Sequence, residues 1–164
     1  DEVHFEYSKS HFNNNSFHNI EKQKIILGAI ATRSGEIKFP VLEAPESDYG
    51  ASIYNKAYKN YKLVQGYSLT KLFQLVPEVI DLLHVDVQGV EYEIFREETL
   101  DALKRVRYLV IGTHFSKTKH NELVKVLKRS KTHKIRYNFE PKSTQKTDFG
   151  PIEFGDGFLV LEKK

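Results

Sequence analysis

The stretch Val79–Glu93, VIDLLHVDVQGVEYE, decides how this chain is read. Its apolar half, with Val79, Ile80, Leu82, Leu83 and Val85, has the length of an interior parallel strand, and a polar turn and a helix start follow it. Asp86, Gln88, Gly89 and Glu91 crowd the carboxyl end of that strand. Open α/β sheets bind their ligands at such ends, so this turn is the first place to look for chemistry.

Working outward, Val106–Gly112 (VRYLVIG) reads as a second buried strand that again runs into polar residues, Thr113 and His114. Between the two, Val90–Lys104 has helical character in two pieces, and Lys117–Arg129 is amphipathic with Leu123, Val124 and Leu127 inward. Upstream, Lys62–Gly66 is a short strand, Ser68 caps a helix through about Leu75, and Pro77 ends it. Lys24–Thr32 is a buried strand that Ser34-Gly35 turns into a shorter one, Glu36–Val41, giving a hairpin-like unit. Val3–Asn15 suits a helix, and Leu42–Asn60, without any period, a long surface loop. At the end, Lys134–Phe139 and Gly157–Leu161 form a closing antiparallel pair joined by a long loop. The alternation of strand and helix predicts an α/β domain, residues 1–164, with a largely parallel sheet.

Composition narrows the function classes. At 164 residues the chain suits one core, with about two thirds of the unfolded surface buried. A hydrophobic fraction of 40% beside 29% charged residues excludes a disordered chain, and no apolar run reaches membrane length, so no membrane partner is expected. The absence of cysteine removes disulfides, thiolate metal ligands and cysteine nucleophiles, and it fits a cytoplasmic compartment. A net charge of +3 predicts no nucleic-acid partner unless it is concentrated. The one basic run, Lys125, Lys128, Arg129, Lys131, Lys134 and Arg136, straddles a helix face and its carboxyl end with little aromatic interleaving, so it reads as a solvated face. There is no methionine, and the opening DEVHFEY looks like a strand end running into a helix, so a fragment or processed domain is expected.

Four segments in this order, GYSLTKLF (66–73), VIDLLHVDVQGVEYEIF (79–95), LVIGTHF (109–115) and GDGFLVLE (155–162), make the chain resemble the FkbM-type family of S-adenosylmethionine-dependent methyltransferases. Asp86, Gln88, Gly89 and Glu91 match the family's Asp-x-Gln-Gly-x-Glu-like turn, and Gly112, Thr113 and His114 match its Gly-Thr-His strand ending. The resemblance implies a Rossmann-like class I methyltransferase sheet, S-adenosylmethionine as cofactor, and methyl transfer to a hydroxyl of a sugar or other small metabolite. The glycine-rich turn that opens the family's domain is absent here. The sheet is therefore expected to be incomplete at its N-terminus, lacking the strands that separate the Lys24 strand from the Val79 strand.

Methyl transfer is an in-line displacement, so the protein must align a nucleophile and accept a proton. Asp86 can face the cofactor's ammonium group or the acceptor hydroxyl, or it can merely cap the following helix. His114, whose imidazole titrates near neutrality, is the candidate base; the plainer reading is a loop histidine satisfied by backbone groups. On the cofactor side stand Gln88 and, by the resemblance, Ala29 and Ile30 near the adenine, although apolar residues there are also simple core. Asp48 and Tyr49, in a loop with Gly50 and Ala51, suit a hydroxylated acceptor, as does Glu91, which equally fits a first-turn helix position. Asp86, Glu91 and His114 combine donor types that suit a divalent ion, but no element carries ligand spacing, so no metal is assigned. His84 is expected in the core or an interface, and His4, His11, His18, His120 and His133 receive no role. The competing expectation is a noncatalytic α/β module that binds a protein or glycan.

Overall fold

The computed structural model describes residues 1–15, 24–46, 48, 50–53, 58–76, 79–114 and 116–164. Helix α1 (Glu2–Asn14) begins where Asp1 caps it, its carboxylate accepting from the N–H groups of Val3 at 3.0 Å and His4 at 3.2 Å. None of its residues is buried.

Strands β1 (Ala29–Ile30), β2 (Gly35–Pro40) and β3 (Tyr61–Tyr67) form a three-stranded sheet with β3 in the centre. This corrects the hairpin expected between the Lys24 and Glu36 strands. Both flank β3 instead: β1 runs parallel to it with Ala29 opposite Gly66, and β2 antiparallel with Gly35 opposite the same residue. Ala31 N–H extends the first ladder to Tyr67 O at 2.9 Å, and Ser34 Oγ accepts from Ser68 N–H at 3.1 Å, so the intervening turn crosses the end of β3. The Lys24 strand is also shorter and less buried than its apolar run suggested. Only Ala29 and Ile30 pair, on one side, and both are half-buried.

Ser68 caps α2 (Leu69–Leu75) as expected, accepting from Lys71 N–H at 3.2 Å, and Leu69 and Phe73 are buried. Pro77, the expected stop, lies outside the described residues. There follow β4 (Ile80–Val85), α3 (Glu91–Ile94), α4 (Glu97–Ala102) with a 3₁₀ turn at Leu103–Arg105, β5 (Val106–Thr113) and α5 (Lys117–Lys128). The chain ends in β6 (His133–Phe139), β7 (Ser143–Thr147), β8 (Gly150–Phe154) and β9 (Gly157–Lys163).

A four-stranded sheet has the order β4-β5-β9-β6. The expected antiparallel pair of β6 and β9 is present, but the sheet is not largely parallel: β4 and β5 are parallel, while β9 enters antiparallel between β5 and β6. The fold is thus mixed α/β. The segment expected as a long closing loop holds the antiparallel hairpin of β7 and β8. Its strands, STQKT and GPIEF, have no buried residue and hence no apolar alternation to betray them. Strand β4, expected to be interior, lies at the edge of its sheet among the described residues; Leu82 is 59% exposed, and His84 is exposed rather than core.

Leu109, Ile111, Leu159 and Leu161 on the central strands are wholly buried, and α5 lays His120, Leu123, Val124 and Leu127 into the same core. Each such apolar side chain contributes roughly 1.5–3 kcal/mol. The basic run of α5 and β6 is exposed, with Lys134 and Arg136 paired to Glu162 at 3.6 and 3.2 Å. Among the described residues no helix is long and apolar enough to cross a membrane.

Candidate active site

The parallel pairing of β4 and β5, with Val85 opposite Ile111, brings their carboxyl ends side by side. Asp86 follows β4 directly and His114 follows β5, so both side chains emerge at one place. His114 Nε2 lies 3.1 Å from Asp86 Oδ1, and its Nδ1 lies 2.9 Å from Glu91 Oε1. Exposure separates the two carboxylates: the Asp86 side chain is 48% exposed and that of Glu91 is fully buried, with His114 at 14% between them.

The turn between β4 and α3 explains how Glu91 comes to be there. Gln88 and Gly89 both have positive φ, 53° and 99°, folding the chain back tightly; glycine adopts this freely, whereas Gln88 is strained. Glu91 braces that turn. Its Oε1 accepts from Val87 N–H at 2.9 Å and its Oε2 from Gly89 N–H at 2.7 Å. Gln88 Nε2 in turn donates to Asp86 Oδ1 at 3.2 Å. Of the readings open for Glu91, the geometry supports a buried brace that also orients His114, set away from the surface where an acceptor would be met.

Both ring nitrogens of His114 face carboxylate oxygens, which only accept, so the arrangement favours the imidazolium. Its pKa is accordingly raised: the hydrogen bond to Glu91 acts first, burial opposes it, and the charges of Glu91, Asp86 and Asp156 add to the rise. Tyr92, next in α3, donates its hydroxyl to the carbonyl of His114. Burial, with the Glu91 charge behind it, pushes that phenol up to about 12, so it stays a neutral donor. The ligand atoms of Asp86, Glu91 and His114 lie within 4.8 Å of one another, a spacing a divalent ion could bridge and a shared proton on His114 also satisfies.

Asp86 and Gln88 line a cleft of about 430 Å³ whose opposite wall comes from the other sheet, with Ala29, Ile30 and Phe39, and from Ser52 and Ile53 of the intervening loop. The structure therefore unites Asp86, Gln88, Ala29 and Ile30 on one cavity. Asp48 lines a wider groove of about 620 Å³ with Tyr7, His11 and Phe12 of α1, and Phe39 and Ala51 border both. Its carboxylate is already engaged, accepting from Gly50 N–H at 3.2 Å and Tyr58 hydroxyl at 2.7 Å. Tyr49 lies outside the described residues. The sequence reading missed Tyr92, for which a phenol beside Glu91 in a helical segment offers no separate signal. It also set aside His120, which proves wholly buried.

Fold and site define a mixed α/β domain with a histidine held between two carboxylates at the adjacent ends of two parallel strands. The family model for the methyltransferase FkbM domain matches residues 5–141, and the chain belongs to that family. The match includes β4, β5 and every candidate side chain described above. Among curated proteins, the chain is similar to a protein named as a putative methyltransferase from Jannaschia sp. (strain CCS1), with 31% identity over 97 residues. That alignment takes in 53% of this chain and 34% of the relative, so the matched part spans about a third of the relative's length. No solved structure matches the chain.

Proposed function

We propose that this domain serves an S-adenosylmethionine-dependent methyltransferase that acts on a hydroxyl of a sugar or other small metabolite, within a Rossmann-like sheet. The observation that carries the reading is His114, held by buried Glu91 at Nδ1 and aimed with Nε2 toward Asp86 at the cleft. The cleft suits the cofactor: apolar Ala29, Ile30, Phe39 and Ile53 can take an aromatic base, and the half-exposed carboxylate of Asp86 can meet a cationic group. S-adenosylmethionine, when bound, supplies an electrophilic methyl group.

The residues of the chain supply alignment and a proton acceptor. Asp86 orients the acceptor hydroxyl or the cofactor's ammonium group. Once His114 has lost its Nε2 proton to solvent, that nitrogen takes the proton the acceptor hydroxyl gives up, while Glu91 holds the Nδ1–H and fixes the tautomer. The groove with Tyr7, Phe12 and Asp48, which borders the cleft, suits a hydroxylated acceptor by its mix of aromatic and acidic groups. Calorimetric titration of the full-length protein with S-adenosylmethionine tests the cofactor, and methyl transfer to a panel of sugars tests the reaction. Asp86→Asn and His114→Gln are each expected to lower turnover by about 10²–10⁴ with the fold intact. Full turnover in both variants would remove these roles, and a folded full-length protein that binds no cofactor would overturn the proposal.

A further inference from the structure

His120 has no part in the chemistry described so far, yet it is wholly buried, and both of its ring nitrogens are engaged. It sits in the first turns of α5, where its Nδ1 lies 2.7 Å from Thr113 Oγ1 and its Nε2 lies 2.6 Å from Asn138 Oδ1 on β6. With the Asn138 oxygen facing Nε2, that nitrogen carries the proton, so Nδ1 accepts and the Thr113 hydroxyl donates. Thr113 is itself wholly buried and is the last residue of β5, immediately before His114. On the other side, Tyr92 donates its hydroxyl to the carbonyl of His114, the residue that follows. A polar chain thus runs from β6 through α5 to the end of β5.

The surroundings are shaped around the ring. Gly157 faces Thr113 across the β5–β9 ladder, and a Cβ there would stand 2.7 Å from His120 Nδ1 and 2.8 Å from Pro141 Cδ, besides colliding with Thr113 Oγ1. An apolar side chain could fill the same volume without demanding two buried partners, since a buried polar group is tolerated only when it is hydrogen-bonded. What the imidazole adds is direction: it ties the residue before His114 to two other elements. Hydrogen bonds lengthen out of their useful range within a few tenths of an ångström, so the two contacts of His114 depend on where β5 ends.

We propose that His120 is a positioning residue, which through Thr113 fixes the end of β5 and thereby holds the ring of His114 between Glu91 and Asp86. This rests on the role proposed for His114, but its test reads the ring itself and needs no methyl transfer. In the full-length protein labelled with ¹⁵N-histidine, the Nδ1–H of His114 is assigned by its loss in His114→Gln, and its exchange with solvent is measured. His120→Phe is expected to speed that exchange about tenfold, as losing one hydrogen bond's worth of restraint would. Thr113→Val, which deletes the hydroxyl at constant shape, should do the same and covers the case in which the phenylalanine does not fold. His120→Asn, whose amide can take the place of Nδ1, should keep the slow exchange. Unchanged exchange in folded His120→Phe or Thr113→Val would overturn the proposal and leave His120 as core packing. A protein that fails to methylate but shows the predicted exchange pattern would sink the function and keep the positioning role.

Discussion

Asp86, Glu91 and His114 stand at the end of a sheet whose central strands keep Leu109, Ile111, Leu159 and Leu161 wholly buried, whereas Ala29 and Ile30 belong to a sheet in which Pro40 and Gly66 are the only buried strand residues. The cleft runs between these two regions and borrows a wall from each. Groups that must hold a proton-transfer geometry need an unyielding support, and the core-rich sheet provides one. A wall that only has to exclude water and contact a ligand can rest on the sparser sheet. The division also explains the strain at Gln88, because positive φ in a non-glycine residue persists only where the surroundings overdetermine it, as the two hydrogen bonds of Glu91 do.

The largest expected effect tests whether that support depends on a single buried carboxylate. Glu91→Ala leaves the N–H groups of Val87 and Gly89 and the Nδ1 of His114 without the acceptor that a fully buried side chain gives them. It is expected to lower the stability of the domain by about 3–5 kcal/mol, read from urea unfolding. Asp86→Asn, at a half-exposed side chain, should cost under about 1 kcal/mol. Similar losses in the two variants would break the distinction between the buried brace and the half-exposed carboxylate.

Much of this support could be read from residues alone, and the failures have physical causes. The apolar runs of β4 and β5, the Ser68 cap and the inward face of α5 announce themselves through period and capping chemistry, and the structure has them where the sequence implies. The meeting of Asp86 with His114 follows from two parallel strand ends, which a pattern of alternating elements already suggests. Pairing partners are another matter: whether the Glu36 strand pairs with the Lys24 strand or with β3 depends on long-range contacts that leave no local periodicity. The hairpin of β7 and β8, which buries no residue fully, is silent for the same reason. Glu91 fitted an acceptor contact and a first-turn helix position equally well, because the local sequence does not tell that the Gln88-Gly89 turn folds it inward.

A smaller effect sharpens the comparison through pH. The folded-state pKa of His114 is raised, chiefly by its hydrogen bond to Glu91, so the pair adds stability that is fully present below the ordinary imidazole value of about 6.5 and is lost as pH rises through the folded value. Wild type should therefore be more stable than His114→Gln in weakly acidic solution, with the difference shrinking as the pH increases. If His114 is the base proposed above, methyl transfer should move the other way across the same window, because Nε2 can accept a proton only while the ring is neutral. Unfolding curves and rate profiles on the same samples check both trends. A stability advantage that grows with pH would mean that the ring is held neutral.

The smallest effect concerns the sparser region. Helix α1 buries no residue, and the ion pair of Glu2 with Lys62 ties its first turn to β3. Lys62 holds the Glu2 carboxyl below the usual range through that contact, but the Glu2 side chain is 62% exposed and solvent screens the pair. Glu2→Gln should accordingly change global stability by less than about 0.5 kcal/mol. Hydrogen exchange is the more telling measurement, since amides of a helix without buried contacts open locally while those of β5 open only with the whole domain. The α1 amides are expected to exchange far faster than the β5 amides, and Glu2→Gln should speed α1 alone. Protection of α1 equal to that of β5 would mean that this helix is consolidated with the core, and the groove it forms with Asp48 would then be as firmly built as the site of His114.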